Sequence, residues 1–136
     1  ESDEEKAQAE KKAEENKDVL DFVKETLGDK IQEARISKIL KTGAVCMTAD
    51  GPVTLEMEKY FRRVDPDHAD NMRAQRVLEL NPDSAPFAAL QKAVEAGDKD
   101  TVSKYAKLLY GQALLLADLP LEDPAEYAQL VCSLMV

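Results

Sequence analysis

Apolar residues recur at helical spacing towards the end of the chain, over residues 98–136. The first part of this segment predicts a helix with one apolar face, formed by Val102, Tyr105, Ala106, Leu109, Ala113 and Leu116. Leu108, Leu114 and Leu115 lie off that face, so the C-terminal half of the helix is apolar almost all round. A helix with this pattern is normally buried on more than one side.

A second helix is predicted to begin at Asp123-Pro124, because Asp suits the N-cap and Pro suits the first helical position. Its apolar residues form one stripe that runs to the end of the chain: Tyr127, Leu130, Val131, Leu134 and Met135. A terminal helix this apolar needs a surface to dock on, and little of the chain is left to cover it.

We therefore predict that these two helices pair with the same helices of a second copy, in a dimeric four-helix bundle. The predicted interface combines the stripe of the last helix with one face of the helix before it: Val102, Tyr105, Leu109, Ala113, Leu116, Tyr127, Leu130, Val131, Leu134 and Met135.

The start of the chain differs sharply in composition from the rest. Residues 1–16 are nearly all Glu, Lys, Ala, Asp and Gln, which predicts a solvated helix or a disordered connector. Core-facing apolar spacing begins in the next segment, whose helix is predicted to end at Gly28. We therefore divide the chain into a connector, residues 1–16, and one C-terminal dimerisation domain, residues 17–136.

Three short segments have the pattern of β-strands. Residues 31–40 and 44–48 predict a β-hairpin, and residues 76–80 predict a third strand that ends at an Asn-Pro turn. A further helix is predicted over residues 85–96. The predicted fold class is α+β, with a small mixed three-stranded sheet backed by helices and followed by the helical pair.

A strongly amphipathic helix is predicted between the second and third strands. Its apolar positions are Val53, Met57, Tyr60, Phe61 and Val64, and its polar positions are Glu56, Glu58, Lys59, Arg62 and Arg63. Under one interpretation the apolar face packs on the sheet. Under the other it stays exposed with Met72 nearby, as an adaptable surface for varied partners, because methionine is flexible and polarizable.

The composition narrows the possible partners. The chain has 136 residues, 44% of them hydrophobic, which suits one small domain. Its net charge is -9 and its longest basic clusters are pairs, which argues against nucleic acid or an anionic membrane as a partner. Two cysteines far apart in sequence, with no signal peptide or spanning segment, indicate a reducing cytoplasm.

Candidate catalytic or metal-binding residues are few. Asp65, Asp67 and Asp70 resemble part of a calcium loop, but a ligand position falls on Ala69 and the glycine of such a loop is absent. His68 is the only histidine, which leaves a histidine-based zinc site unsupported. No phosphate-binding loop or nucleophile elbow occurs. We predict an interaction module with no catalytic residue, metal or cofactor of its own, and not an enzyme.

Six segments then carry a family resemblance: Ile-Ser-Lys at 36–38, Val-Cys-Met-Thr at 45–48, Leu-Glu-Met-Glu-Lys at 55–59, Val-Leu-Glu-Leu-Asn at 77–81, Leu-Leu-Tyr-Gly-Gln-Ala-Leu-Leu at 108–115 and Leu-Pro-Leu-Glu-Asp-Pro at 119–124. In this order, over residues 16–136, they resemble the C-terminal domain of bacterial heat-shock-protein-90 chaperones of the HtpG type. Ile39 and Ser84 depart from the residues that relatives often carry there.

The resemblance implies a role as well as a fold. Full-length members are ATP-driven chaperones whose ATP and Mg²⁺ sites lie in domains outside this chain. They form homodimers through their last two helices, and the helix that matches residues 55–64 is implicated in holding unfolded or partly folded clients. The implied client-binding residues are Val53, Met57, Tyr60, Phe61, Val64 and Met72. The alternative is a structural dimerisation or adaptor domain that binds no client.

Overall fold

The described part of the chain contains a three-stranded sheet and six α-helices. The structure is a computed structural model that describes residues 3–37 and 43–135. Its elements, in order of type, are α1 (Asp3–Glu15), α2 (Lys17–Leu27), α3 (Leu55–Val64), α4 (Ala85–Glu95), α5 (Lys99–Leu116), α6 (Pro124–Ser133), β1 (Glu33–Ile36), β2 (Val45–Asp50) and β3 (Gln75–Leu80). Two 3₁₀ helices cover Gly28–Lys30 and Pro66–Met72. The predicted α+β class is confirmed.

The order of the strands corrects the predicted hairpin. Strand β3 lies in the middle, parallel to β1 and antiparallel to β2, so β1 and β2 do not pair with each other in the described residues. The reason is that β3 has the longest buried run, Arg76–Leu78, and a strand buried on both faces belongs at the centre of a sheet. The predicted connection at Lys41 and Thr42 lies outside the described residues.

One hydrophobic core joins the sheet to α2, α4 and α5. Each strand contributes alternate residues to it, among them Ile36 of β1, Val45 of β2 and Leu78 of β3. The helices contribute their inward faces: Val19, Val23, Leu27, Phe87, Leu90, Ala93, Val102, Ala106, Leu109, Ala113 and Leu114. Since α5 contacts α2, α4, α6 and β2, it is the central helix of the fold.

Helix α1 is solvated wherever its side chains are described. Every described side chain of α1 is exposed, and the helix ends where Asn16 becomes buried before α2. The amide of Gln91 donates to the Asn16 side-chain oxygen at 2.5 Å, which fixes this joint against α4. No helix among residues 3–37 and 43–135 has the length and apolar character needed to cross a membrane.

The end of α5 is set by backbone hydrogen bonds around Asp118. The amide of Leu119 donates to the carbonyl of Leu114, and the amide of Asp118 donates to that of Leu115, as in a Schellman motif. Asp118 occupies the left-handed region with φ of 59°, where this motif normally places glycine. The helix therefore ends at a mildly strained residue.

Replacing Asp118 by glycine should stabilise the chain. Glycine adopts the left-handed conformation without steric cost, and the change also removes a negative charge from the negative end of the α5 dipole. We expect Asp118→Gly to raise the free energy of unfolding by about 0.5–1 kcal/mol in urea titrations at one fixed chain concentration. Asp118→Asn is the control, since it removes only the charge; a lower stability for the glycine variant would contradict this account.

Candidate functional site

Helix α3 turns its apolar face outwards. The Thr54 hydroxyl caps the helix by accepting from the Met57 amide at 3.0 Å. Met57, Tyr60 and Val64 are exposed, Tyr60 to 53% and Val64 to 56% of their surface. Phe61 is half-buried and packs edge to face on Tyr60, with ring centroids 5.6 Å apart. Of the two interpretations of this helix, the structure therefore supports the exposed one.

The other two predicted members of this surface lie at its margins. Val53, just before the helix, and Met72, at the end of the 3₁₀ helix that follows, are both half-buried. We call the set Met57, Tyr60, Phe61 and Val64 the α3 surface from here on. A contiguous apolar patch on a small protein commonly marks a site of interaction. That it binds clients stays a prediction.

Glu58 is the buried residue of α3, which corrects its predicted place on the solvated polar face. Its side chain is 1% exposed. One carboxylate oxygen, Oε1, accepts from the backbone amide of Ala74 at 2.9 Å, and Oε2 accepts from Arg76 Nη2 at 2.7 Å. Arg76 on β3 is itself 3% exposed. A buried charge needs a paired and hydrogen-bonded partner, and each of these two residues supplies that for the other.

The pair extends into a polar network that reaches the connection between α5 and α6. Arg76 Nη1 donates to the Tyr110 hydroxyl on α5 at 3.0 Å, and this hydroxyl donates to Glu122 Oε1 at 3.0 Å. Arg73 also contacts Glu122 Oε1, through Nη2 at 3.2 Å. We call the three buried residues Glu58, Arg76 and Tyr110, together with the surface residue Glu122 that they reach, the buried network. It joins four segments that are far apart in sequence.

Two members of the buried network, Glu58 and Tyr110, have shifted pKa values, and each keeps one protonation state near neutral pH. Burial alone would raise the pKa of Glu58, but hydrogen bonds from Arg76 and the Ala74 amide, with the charges of Arg76 and Arg62, lower that pKa below its ordinary value. Burial raises the pKa of Tyr110, which therefore stays a neutral phenol. A neutral hydroxyl accepts from Arg76 and donates to Glu122 at the same time.

A second polar contact holds α3 at the end of α5. Lys59 Nζ donates to the carbonyl of Ala117 at 2.8 Å, and it also pairs with Glu56 Oε1 at 2.8 Å. A cation at this place satisfies an unpaired carbonyl and suits the negative end of the α5 dipole. Helix α3 is therefore held in place by charged contacts on one face while its apolar face meets solvent.

The predicted interface residues of α5 divide into two groups. Val102, Leu109 and Ala113 are buried in the core of the single chain, although Leu109 also lines the groove described below, and Tyr105 is half-buried. Leu116 is 71% exposed. The periodicity identifies the apolar face of α5. Part of the face that we predicted a second copy would cover is covered by the chain's own core.

Helix α6 has no buried residue of its own. Tyr127, Leu130 and Val131 are half-buried, and Leu134 and Met135 are exposed, the latter to 78%. The helix sits on α5 at Gly111, where an added Cβ would lie 2.4 Å from two ring carbons of Tyr127. Only glycine allows so close an approach, and one flank of α6 therefore docks on α5 while the other flank remains uncovered.

An apolar groove of about 350 Å³ opens beside the exposed end of α6. Its walls come from α4, α5 and α6: Ala85, Pro86, Ala89, Tyr105, Leu108, Leu109, Gln112 and Leu134. Together with Leu115, Leu116 and Met135, the groove forms an uncovered apolar area that we call the α5–α6 surface.

The segment considered as a calcium loop shows a different arrangement. The Asp65 carboxylate lies 2.9 Å from Nδ1 of His68 and is thus engaged with the imidazole. Among the side chains that the structure describes, no three His, Cys, Asp or Glu residues come together in a group that would hold a metal ion.

Comparison with known proteins identifies the family of this chain. The family model described as "Hsp90 protein" matches residues 1–136. The chain belongs to the Hsp90 family of chaperones, which confirms the resemblance found in its sequence.

Individual relatives agree with the family model. The chain is 44% identical over 135 residues to the "Chaperone protein HtpG" of Bacillus subtilis (strain 168), covering 99% of this chain and 21% of that protein. It is 44% identical over 128 residues to the Clostridium acetobutylicum protein of the same name, covering 94% of this chain and 20% of the relative. For the Shouchella clausii protein the identity is 45% over 132 residues, with 97% and 21% covered. The chain thus spans about a fifth of the length of these relatives.

Removing the Glu58 carboxylate should destabilise the fold strongly. Glu58→Ala leaves the Arg76 guanidinium buried with only the longer contact to Glu122 Oε1 at 3.7 Å, and breaking a buried ion pair typically costs about 3–5 kcal/mol in the free energy of unfolding. The matched control is Glu56→Ala on the same helix, where the side chain is 84% exposed and the loss should stay within about 1 kcal/mol. Urea unfolding at pH 7 measures both.

The same pair of variants gives a pH test with a defined sign. The folded-state pKa of Glu58 is lowered, so its contribution is present above the unfolded pKa, about 4.3 for Glu, and is lost as the pH falls through the folded value. The stability gap between wild type and Glu58→Ala should therefore narrow in acid, while that for Glu56→Ala changes little. An equal difference in stability between wild type and Glu58→Ala at pH 7 and in acid would contradict this role for Glu58.

Proposed function

We propose that this chain is the C-terminal homodimerisation domain of an ATP-dependent Hsp90-type chaperone, and that the α3 surface binds its clients. The observation that carries the proposal is the presence of two separate uncovered apolar surfaces, one on α3 and one on α5–α6, in a chain of this family. ATP and Mg²⁺ would be handled by parts of the whole protein outside this chain, in the bacterial cytoplasm.

The proposed occupant of the α5–α6 surface is a second copy of the chain. The chain exposes 8489 Å², about a fifth more than the roughly 7,100 Å² expected for a compact monomer of its length. Solvated α1 contributes to the excess, and so does the uncovered flank of α6. A twofold axis would bring the same apolar flank from each copy together, which is the commonest way to cover such a surface.

The proposed interface contains fewer residues than the interface predicted from the sequence pattern alone. It retains the exposed or half-buried members of the predicted set and adds Leu115 beside them; it comprises Tyr105, Leu115, Leu116, Tyr127, Leu130, Val131, Leu134 and Met135. In a four-helix bundle of α5 and α6 from both copies, these residues would interdigitate as core positions do in other bundles.

Dimerisation should fail when a charge is placed on the uncovered flank of α6. Leu134→Glu puts a carboxylate where the second copy would bury it, and burying an unpaired charge costs several kcal/mol. We expect the association constant from sedimentation equilibrium to fall at least about a hundredfold, or about 2.8 kcal/mol. A chain that ends at Glu122 should likewise not form this dimer.

Ala125→Glu is the matched control, because it adds the same charge to an exposed position of α6 that lies off the apolar stripe. Its association constant should stay close to that of the wild type. A wild-type chain that remains monomeric at micromolar concentration would overturn the proposed homodimer, and equal effects of the two variants would place the interface elsewhere.

The proposed client surface works through weak contacts that are made twice. An unfolded segment exposes apolar side chains, and Met57 offers a flexible, polarizable contact that adapts to many of them. Tyr60 and Phe61 add aromatic area. In a dimer, one extended client reaches two copies of the α3 surface, so its second contact becomes intramolecular and the overall affinity rises. In the whole chaperone, dimerisation at this end would also raise the effective concentration of the two ATPase domains for each other.

Client binding should weaken when Tyr60 loses its ring. Because Tyr60 is already exposed, Tyr60→Ser should leave the fold intact, but the loss of one aromatic contact should reduce affinity about tenfold. The probe is a fluorescently labelled, reduced and carboxymethylated protein that cannot refold, and the measurement is fluorescence anisotropy.

Glu56→Gln, on the polar side of the same helix, is the control and should bind the probe like the wild type. If the wild-type chain forms dimers but binds no probe, it is a structural dimerisation or adaptor domain, and the client part of the proposal is wrong. A Tyr60→Ser chain that binds as tightly as the wild type would move the client site away from α3.

A further inference from the structure

The buried network connects the two proposed surfaces of the molecule. It starts at Glu58, the one buried side chain of α3, and passes through Arg76 and Tyr110 to Glu122, with successive hydrogen bonds of 2.7, 3.0 and 3.0 Å. Glu122 immediately precedes Asp123, whose side chain caps α6 by accepting from the Glu126 amide at 3.0 Å. A continuous set of hydrogen bonds therefore runs from the helix of the α3 surface to Glu122, two residues before α6 begins at Pro124.

The contact made by Lys59 ends at the same place. Its ammonium group donates to Ala117, the residue that follows α5, so both polar attachments of α3 reach the segment between α5 and α6. Nothing else in the sequence forces this arrangement, because Glu58 and Lys59 are ordinary surface residue types on an amphipathic helix. What they share is that each finds its partner on one side of α3, opposite Met57, Tyr60 and Val64.

These contacts decide which way α3 faces. With Glu58 bound to Arg76, the α3 surface must point to solvent, because the two sets of residues lie on opposite sides of one helix. Without that pair, the apolar face would gain by turning inwards, since apolar burial is the main force that orients amphipathic helices. The Glu58–Arg76 pair thus favours the orientation of α3 that exposes its apolar face, which we call the exposing orientation.

We infer that the buried network couples association of two copies to the position of α3, a link that rests on the function proposed above. A second copy seated on α5 and α6 would restrain α6, and with it the Glu122 carboxylate on which Tyr110 depends. The network then closes more firmly and holds α3 in its exposing orientation. By reciprocity, any ligand that favours the exposing orientation strengthens association by the same factor.

Backbone amide hydrogen exchange of α3 tests this inference without a client. The wild-type chain is studied above and below the concentration at which it dissociates. Exchange in α3 should slow by about fivefold or more in the dimer, a coupling of ordinary size between two sites. Tyr110→Phe removes the shared hydroxyl and leaves only the 3.7 Å contact between Arg76 Nη1 and Glu122 Oε1. In this variant the dimer should still form, while the slowing of exchange in α3 falls.

The matched control is Thr48→Val, which also removes one hydroxyl-to-carboxylate hydrogen bond, from Thr48 to Glu79 at 2.7 Å, but outside the buried network. It should keep the wild-type slowing. Should Tyr110→Phe fold poorly, Glu122→Ala provides the same test at a residue on the surface, because it removes the oxygen that accepts from the Tyr110 hydroxyl. Dimers that form without slowing α3, or a Tyr110→Phe chain that keeps the full slowing, would overturn the coupling alone. A chain that never dimerises would overturn the proposed homodimer as well.

Discussion

A single buried ion pair determines what this domain presents to solvent. Arg76 lies in the central strand of the sheet, where a guanidinium is tolerated only with an anion beside it. Glu58 is that anion, and it comes from the polar side of α3. Because the Glu58 carboxylate is buried in the interior, the apolar residues on the other side of the helix face water.

This pair is better explained by orientation than by stability. Replacing a buried ion pair with apolar residues of similar volume is often neutral or stabilising, so retaining one gains little in the free energy of folding. Here the apolar alternative would let α3 pack as amphipathic helices usually do, and Met57, Tyr60 and Val64 would be lost from the surface. The cost of desolvating Glu58 and Arg76 is thus tied directly to the existence of an exposed apolar helix face.

Most of the fold follows from the sequence, and the predictions that were wrong share one physical origin. The α+β class, the three strands, the end of α2 at Gly28 and the cap at Asp123 follow from local patterns that depend on neighbouring residues alone. The order of the strands and the burial of Glu58 do not follow from local patterns, because they depend on which residues distant in sequence lie next to them in the fold. One signal was present in the sequence: an arginine at the start of a run as apolar as Val77-Leu78 requires a counter-ion somewhere.

The same limit explains the assignment of α5. A helix that is apolar almost all round must be covered on more than one side, but periodicity does not say which cover comes from the chain itself. In the structure the side with Val102, Leu109 and Ala113 is covered by the core, and the side with Leu116 is not. The two uncovered surfaces of the domain therefore differ in kind. The α3 surface is held outwards by charged contacts within the chain, whereas the α5–α6 surface is exposed because no residue in the described part of the chain covers it. A second copy could cover the α5–α6 surface and leave the α3 surface exposed, which is what the proposed dimer needs in order to bind clients.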